Sequence, residues 1–152
     1  WCDESAFKYM PSNIQGCLGF SQLKKIKKII KIKNFILQNY KLCFKNYPDV
    51  VFNQTKKNFV NGAWTTAIVW GKNYKKNAKN VIKKLNIAGL PARPFFYPLS
   101  SMKTFKSRKT KQNNPNSYSI SSRGICLPSA LIITKKEIQI YSKQLIKILT
   151  SK

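Results

Sequence analysis

Between residues 13 and 47 the apolar positions fall at helical spacing. Leu23, Ile26, Ile30 and Leu37 recur at steps of three, four and seven, and Ile29, Ile32, Ile36, Tyr40 and Cys43 make an adjacent stripe. Lys24, Lys27, Lys28, Lys31 and Lys41 lie between them. Such steps keep side chains on one face of a 3.6-residue helix, so the pattern predicts one long amphipathic helix over 13–47. A core-facing helix with snorkelling lysines is the favoured reading, and a helix lying on a membrane surface the lesser one. Ser12 or Asn13 supplies the N-cap, and Pro48-Asp49 ends the helix. Gly16 and Gly19 each cost about 1 kcal/mol inside a helix. They mark either a close backbone approach or an imperfect helix start.

Downstream the period changes. Residues 50–52 and 63–70 (AWTTAIVW) are β-branched and aromatic, with the Asn61-Gly62 turn between them, and read as strands. Over 73–87, Tyr74, Ala78, Val81, Ile82 and Leu85 restore helical spacing, with Gly89 as the stop. Residues 92–97 are extended between prolines. Residues 102–119 are basic, polar and short of aliphatics, and predict a mobile surface loop whose Lys and Arg cluster is a candidate phosphate patch. Residues 125–127 are a short extended piece. Thr134 and Glu137 form a capping box that opens a closing helix through Ile138, Tyr141, Leu145 and Ile148. The fold class that follows is α+β, with a long N-terminal helix and further helices packed on a small, mainly antiparallel sheet.

The chain has 152 residues, 29 Lys and Arg against 4 Asp and Glu, and a net charge of +25. That excess raises the prospect of a non-enzymatic basic domain binding nucleic acid or anionic surfaces. Only Arg93, Arg108 and Arg123 are arginines, however, and forked phosphate recognition favours Arg. Lysines spread among many Asn and Ile residues read more simply as a solvated basic surface. Cys2, Cys17, Cys43 and Cys126 form no C-x-x-C and histidine is absent, so there is no zinc pattern. Cys17 and Cys43 are expected as small buried hydrophobes. No apolar run reaches the roughly 20 residues of a membrane span, and nothing resembles a signal peptide, so a cytoplasmic home is expected.

These residues alone present no triad, carboxylate pair, metal cluster or Gly-rich phosphate loop. Chemistry enters through resemblance. SNIQGCLGFSQL (12–23), RPFFYPLSSM (93–102) and SSRGICLPSALIITKKEI (121–138) resemble, in order, segments of the DegT/DnrJ family of PLP-dependent nucleotide-sugar aminotransferases. In that family these segments are C-terminal. The resemblance therefore implies a fragment: residues 1–12 are a loop at the junction with a missing PLP-binding large domain, and 13–152 a small C-terminal α+β domain.

What the resemblance implies for function is a homodimeric aminotransferase. It transfers an amino group, typically from glutamate, to a keto-sugar carried on a nucleotide, in polysaccharide or glycan biosynthesis. The cofactor is pyridoxal 5'-phosphate, held covalently by a lysine and paired through its ring nitrogen with an acid. Both of those residues fall upstream of residue 1, so the fragment should be inactive alone. In relatives the loop before the long helix reaches the cofactor phosphate of the neighbouring subunit through an asparagine. Lys8 occupies that place here, and Asn13 matches the family asparagine at the helix start, where N-capping is an equal alternative. Arg93, Phe96, Tyr97 and Ser100 are the implied substrate-binding residues. Ser100 stands where relatives often carry histidine. One of Phe95 and Phe96 must be a core residue, since strand side chains alternate. Arg123 is a candidate anion contact, and Gly124 is structural.

Overall fold

In the computed structural model, which describes residues 4, 6–105 and 110–151, an antiparallel sheet carries helices on one face. The first helix, α1 (Asn13–Leu23), starts at Ser12 in a reciprocal capping box. The Gln15 amide oxygen accepts from the Ser12 N–H at 2.8 Å, and the Ser12 hydroxyl accepts from the Gln15 N–H at 3.5 Å. Asn13 is therefore the first helical residue and not the cap.

The expected single helix over 13–47 is two helices, α1 and α2 (Ile26–Cys43). The break falls where Lys24, Lys25, Lys27 and Lys28 crowd about one turn with no carboxylate among them. Like charges at helical neighbours weaken a helix. Helix α2 ends at Cys43, before Pro48. Phe44 turns into the core there, edge-on to Tyr47 and Phe52 at centroid distances of 6.0 and 5.5 Å. Of the two apolar stripes, the one through Ile36 and Tyr40 is buried with Leu37, while Leu23 and Ile26 stay exposed. Cys17 is exposed, against expectation, because α1 buries none of its residues; Cys43 is half-buried.

The strands are β1 (Val50–Phe52), β2 (Thr66–Trp70), β3 (Arg93–Pro94) and β4 (Gly124–Leu127), in the order β1-β2-β4-β3 with every pairing antiparallel. Strand β2 starts later than the pattern suggested. Ala63 sits in the left-handed region at φ 43°, which no strand accommodates. Alternation along β2 buries Thr66, Ile68 and Trp70 and leaves Ala67 and Val69 half-covered. The Asn73-to-Ile87 helix divides into a 3-10 turn over Lys72–Tyr74, a left-handed Lys75, and α3 (Ala78–Ile87) capped by Asn77. Gly89, at φ +72°, closes α3 and lets the Leu90 N–H reach the Leu85 carbonyl at 2.9 Å.

The described residues of the basic stretch over 102–119 are largely in helical turns, where composition suggested a loop. They contain a 3-10 turn (Lys103–Phe105), a short α4 (Thr110–Asn113) and the start of α5 (Pro115–Ser122). Pro115 at the first turn suits a helix start. Lys106, Arg108 and Lys109 of the candidate phosphate patch lie outside the described residues. The last helix, α6 (Lys135–Thr150), has the expected capping box between Thr134 and Glu137.

One core joins these elements: Ile36 and Tyr40 of α2, Ile68 and Trp70 of β2, Leu85 of α3, Ile125 of β4, and Ile138 and Leu145 of α6. The polar atoms of its aromatic residues reach the backbone. The Trp70 indole N–H donates to the Lys76 carbonyl at 2.9 Å, Tyr40 Oη to Pro128 at 3.0 Å, and Tyr141 Oη to Pro91 at 3.0 Å. Burial pushes both phenol pKa values up. These bonds moor the 91 and 128 turns that bracket the sheet edge carrying the site.

Candidate functional site

Strand β3 is short because Pro94 lacks an N–H and Pro98 follows soon after. It pairs with β4 through Arg93 opposite Cys126 and Pro94 opposite Ile125, and the Phe95 N–H then donates to the Gly124 carbonyl at 3.2 Å. Alternation past this point turns Phe95 inward, half-buried over Gly124, and leaves Phe96 exposed, so neither is the core residue expected of the pair. A Cβ on residue 124 would lie 3.0 Å from the Phe95 Cβ, so Gly124 is structural as expected. Tyr97 follows on the exposed side. Ser100 lies in a 3-10 turn (Leu99–Ser101), its hydroxyl 3.4 Å from the Tyr118 hydroxyl.

Arg93, Phe96, Tyr97 and Ser100 are thus carried on one segment at the sheet edge. Lys8 and Asn13 are not brought into this cluster by any burial. Both are exposed on the N-terminal arm, whose Phe7, Tyr9 and Met10 are exposed too. Arg123 is occupied elsewhere. Its guanidinium donates to the Trp70 carbonyl and, at 3.0 Å, to the Ser119 hydroxyl, and its own carbonyl accepts from the Trp70 N–H. It ties α5 to β2.

Sequence reasoning missed Trp64 and Lys33. The Trp64 ring lies 6.1 Å from that of Phe96, and Phe96 lies edge-on to Phe95 at 5.6 Å. Beside this aromatic wall opens a cleft of about 450 Å³ lined by Lys33, Thr65, Arg93, Cys126 and Pro128 among others. Burial raises the Cys126 thiol pKa, against the Thr65 hydrogen bond and the Arg93 charge that lower it. Burial likewise depresses the Lys33 pKa. The signal for Trp64 was the Asn61-Gly62 turn directly before it; for Lys33 there was none, since it is one lysine among many.

Chemically the cluster offers flat apolar faces and a guanidinium, which suit holding a ring and an anion more than breaking bonds. Among the described residues no group of acids and cysteines could hold a metal ion, and no helix is long and apolar enough to cross a membrane.

The sequence model of the DegT/DnrJ/EryC1/StrS aminotransferase family matches residues 1–145. The GDP-perosamine synthase of Vibrio cholerae is 30% identical over 129 residues, which is 85% of this chain and 35% of that protein. In fold the chain is similar to DesI, solved in the presence of its TDP-sugar product, with a TM-score of 0.78 at 14% identity over 90% of this chain and 35% of that one. It is also similar to Helicobacter pylori PseC, an aminotransferase involved in pseudoaminic acid biosynthesis: TM-score 0.68, 18% identity, 96% of this chain and 41% of that one. The chain therefore spans about a third of the length of these relatives.

Proposed function

Because the chain belongs to the DegT/DnrJ/EryC1/StrS aminotransferase family, we propose that it is the C-terminal part of a PLP-dependent enzyme of nucleotide-sugar metabolism. The enzyme moves an amino group, with glutamate as donor, onto a keto-sugar carried by a nucleotide, in the cytoplasm and as a homodimer. The observation that carries this reading is the match over residues 1–145. The V. cholerae relative is named for a GDP-linked amino sugar and DesI for a TDP-sugar product, so both names point to sugar nucleotides.

The residues described here fit only one edge of PLP. Asp49 accepts from Asn73 and Glu137 caps the start of α6, so each has a structural task of its own. Exposed Lys8 and Asn13 fit the phosphate end, where an ammonium can pair as a point charge and an amide can donate. When bound, PLP supplies the electron sink for amino transfer. The covalent lysine and its acid partner belong to a preceding domain under this proposal. This part contributes the junction arm and the substrate wall of Arg93, Phe96, Tyr97 and Ser100.

The test is to express the gene's complete product with PLP and reduce it with borohydride. A lysine trapped upstream of residue 1, together with visible cofactor absorbance, is the expected result. A complete product that takes up no PLP and traps no lysine would sink the proposal.

A further inference from the structure

The 61–65 segment is held more firmly than a surface loop requires. Asn34 Nδ2 donates to the Asn61 carbonyl at 2.8 Å, and Asn61 Oδ1 accepts from the Ala63 N–H at 2.8 Å. Lys33 Nζ donates to the Trp64 carbonyl at 2.9 Å and to the Ser129 carbonyl at 2.5 Å. Asn53 Nδ2 donates to the Thr65 carbonyl at 3.1 Å. Between these ties Ala63 is buried in a left-handed conformation that a residue with a Cβ seldom adopts. Strain of this kind persists only where the surroundings over-determine it, and it concentrates at ligand clamps.

All this ordering leaves an indole that nothing else in this chain covers. Trp64 is 70% exposed, and its partner Phe96 is 60% exposed. An exposed aromatic on a fixed backbone is organised in advance, which removes part of the ordering cost from any ligand that stacks on it. The adjoining cleft of about 450 Å³ is the size of a small-molecule site, and two cations line it: Arg93, and Lys33, whose ammonium already donates to two carbonyls. A ring to stack and an anion to pair are the two halves of one nucleotide. The cleft's size suits a single nucleotide better than a polymer.

We propose that Trp64 is the stacking platform for the base of a nucleoside diphosphate whose phosphates are met by Arg93, and that Lys33 is the positioning residue that fixes Trp64. For its ligand class this rests on the sugar-nucleotide reading. It goes further in assigning the base to the 61–65 segment, on the opposite side of the aromatic wall from Tyr97 and Ser100 in sequence.

The experiment is calorimetric titration of the gene's complete product at physiological salt, which suppresses non-specific charge pairing. GDP and UDP are the probes; guanosine and inorganic pyrophosphate are the half-ligands. Trp64→Ala should weaken GDP about ten- to a hundredfold, the range for losing one base stack. Trp64→Phe should retain most of the affinity. Pyrophosphate should be untouched by Trp64→Ala and weakened by Arg93→Gln. Lys33→Met should weaken GDP without affecting pyrophosphate, a split that general destabilisation would not produce. Thermal melts verify that each variant is folded.

The proposal is overturned if wild type binds neither GDP nor UDP, or if Trp64→Ala binds them as wild type does. Either failure is separable from failure of the enzyme reading, which is decided by lysine trapping in the complete product. PLP uptake without base stacking overturns the platform alone.

Discussion

Replacing Gly124 by alanine should destabilise the domain by about 1–2 kcal/mol. The added Cβ would sit 3.0 Å from the Ile120 carbonyl oxygen, 3.0 Å from the Phe95 Cβ and 3.2 Å from its Cγ. Ordinary contact begins near 3.4 Å, so all three must retreat by a few tenths of an ångström. None is free to do so cheaply. The Ile120 oxygen accepts from the Arg123 N–H at 3.1 Å, and the Phe95 N–H is tied to Gly124 itself. Overpacking of this order costs about 1–3 kcal/mol, and the stiffer unfolded chain returns about 0.4–1. Urea unfolding followed by circular dichroism reads the difference. With a slope of about 2 kcal/mol per molar, the midpoint should fall by roughly 0.5–1 M at unchanged slope. In a Phe95→Ala background a small part of the cost should vanish, because the Cγ contact is gone while the Cβ contact stays. An unchanged or raised midpoint for Gly124→Ala would refute the reasoning, since it would mean the β3–β4–α5 junction has slack.

Alkaline pH should unfold the protein through Tyr40 and Tyr141. Their phenols are held protonated in the folded state by burial, whereas in the unfolded chain they ionise near pH 10. The unfolded state therefore binds fewer protons above that pH, and stability present below it is lost as pH rises. Tyr141→Phe should cost about 1 kcal/mol at neutral pH for its lost bond to Pro91, and should flatten the alkaline slope measured by urea midpoints from pH 8 to 11. Thr134→Ala removes the cap of α6 and should cost about 1 kcal/mol in the same assay at pH 7; no change would mean the cap is redundant. Leu18→Lys on α1, which buries nothing, should shift stability by less than about 0.5 kcal/mol while raising solubility. A large loss of stability would show that α1 packs on the domain after all. Binding to duplex DNA at low salt should disappear near physiological salt. Saturable binding that survives there would revive the polyanion reading.

Much of the α+β arrangement was written locally. The α6 capping box, the Gly89 stop, the alternation of β2 and the opposite fates of Phe95 and Phe96 are decided within a few residues by backbone geometry and hydrogen-bond valence. The segment of Arg93, Phe96, Tyr97 and Ser100 was legible for the same reason, since its members are neighbours in sequence. The misread elements are those where local signals compete. Composition made 102–119 look like a loop, yet helical turns form in its described residues because Pro115 can start a helix and 3-10 turns need few apolar contacts. Helical period ran unbroken from 13 to 47, yet four crowded lysines divide it, and Phe44 ends it by entering the core.

What sequence alone determined was periodicity, caps, charge and the three ordered motifs that carry the family. What only tertiary structure decided was which residues from distant parts of the chain meet. Lys33 is 31 residues from Trp64 and 96 from Ser129, and no local rule distinguishes it from the other lysines of this basic chain. Its role exists only because α2, the 61–65 segment and the turn after β4 converge at one sheet edge. Arg123, a candidate anion contact by sequence, was also given structural partners by packing: the Trp70 carbonyl and the Ser119 hydroxyl. A side chain's partners are set by packing, and packing is the sum of many long-range contacts that no short window of sequence contains.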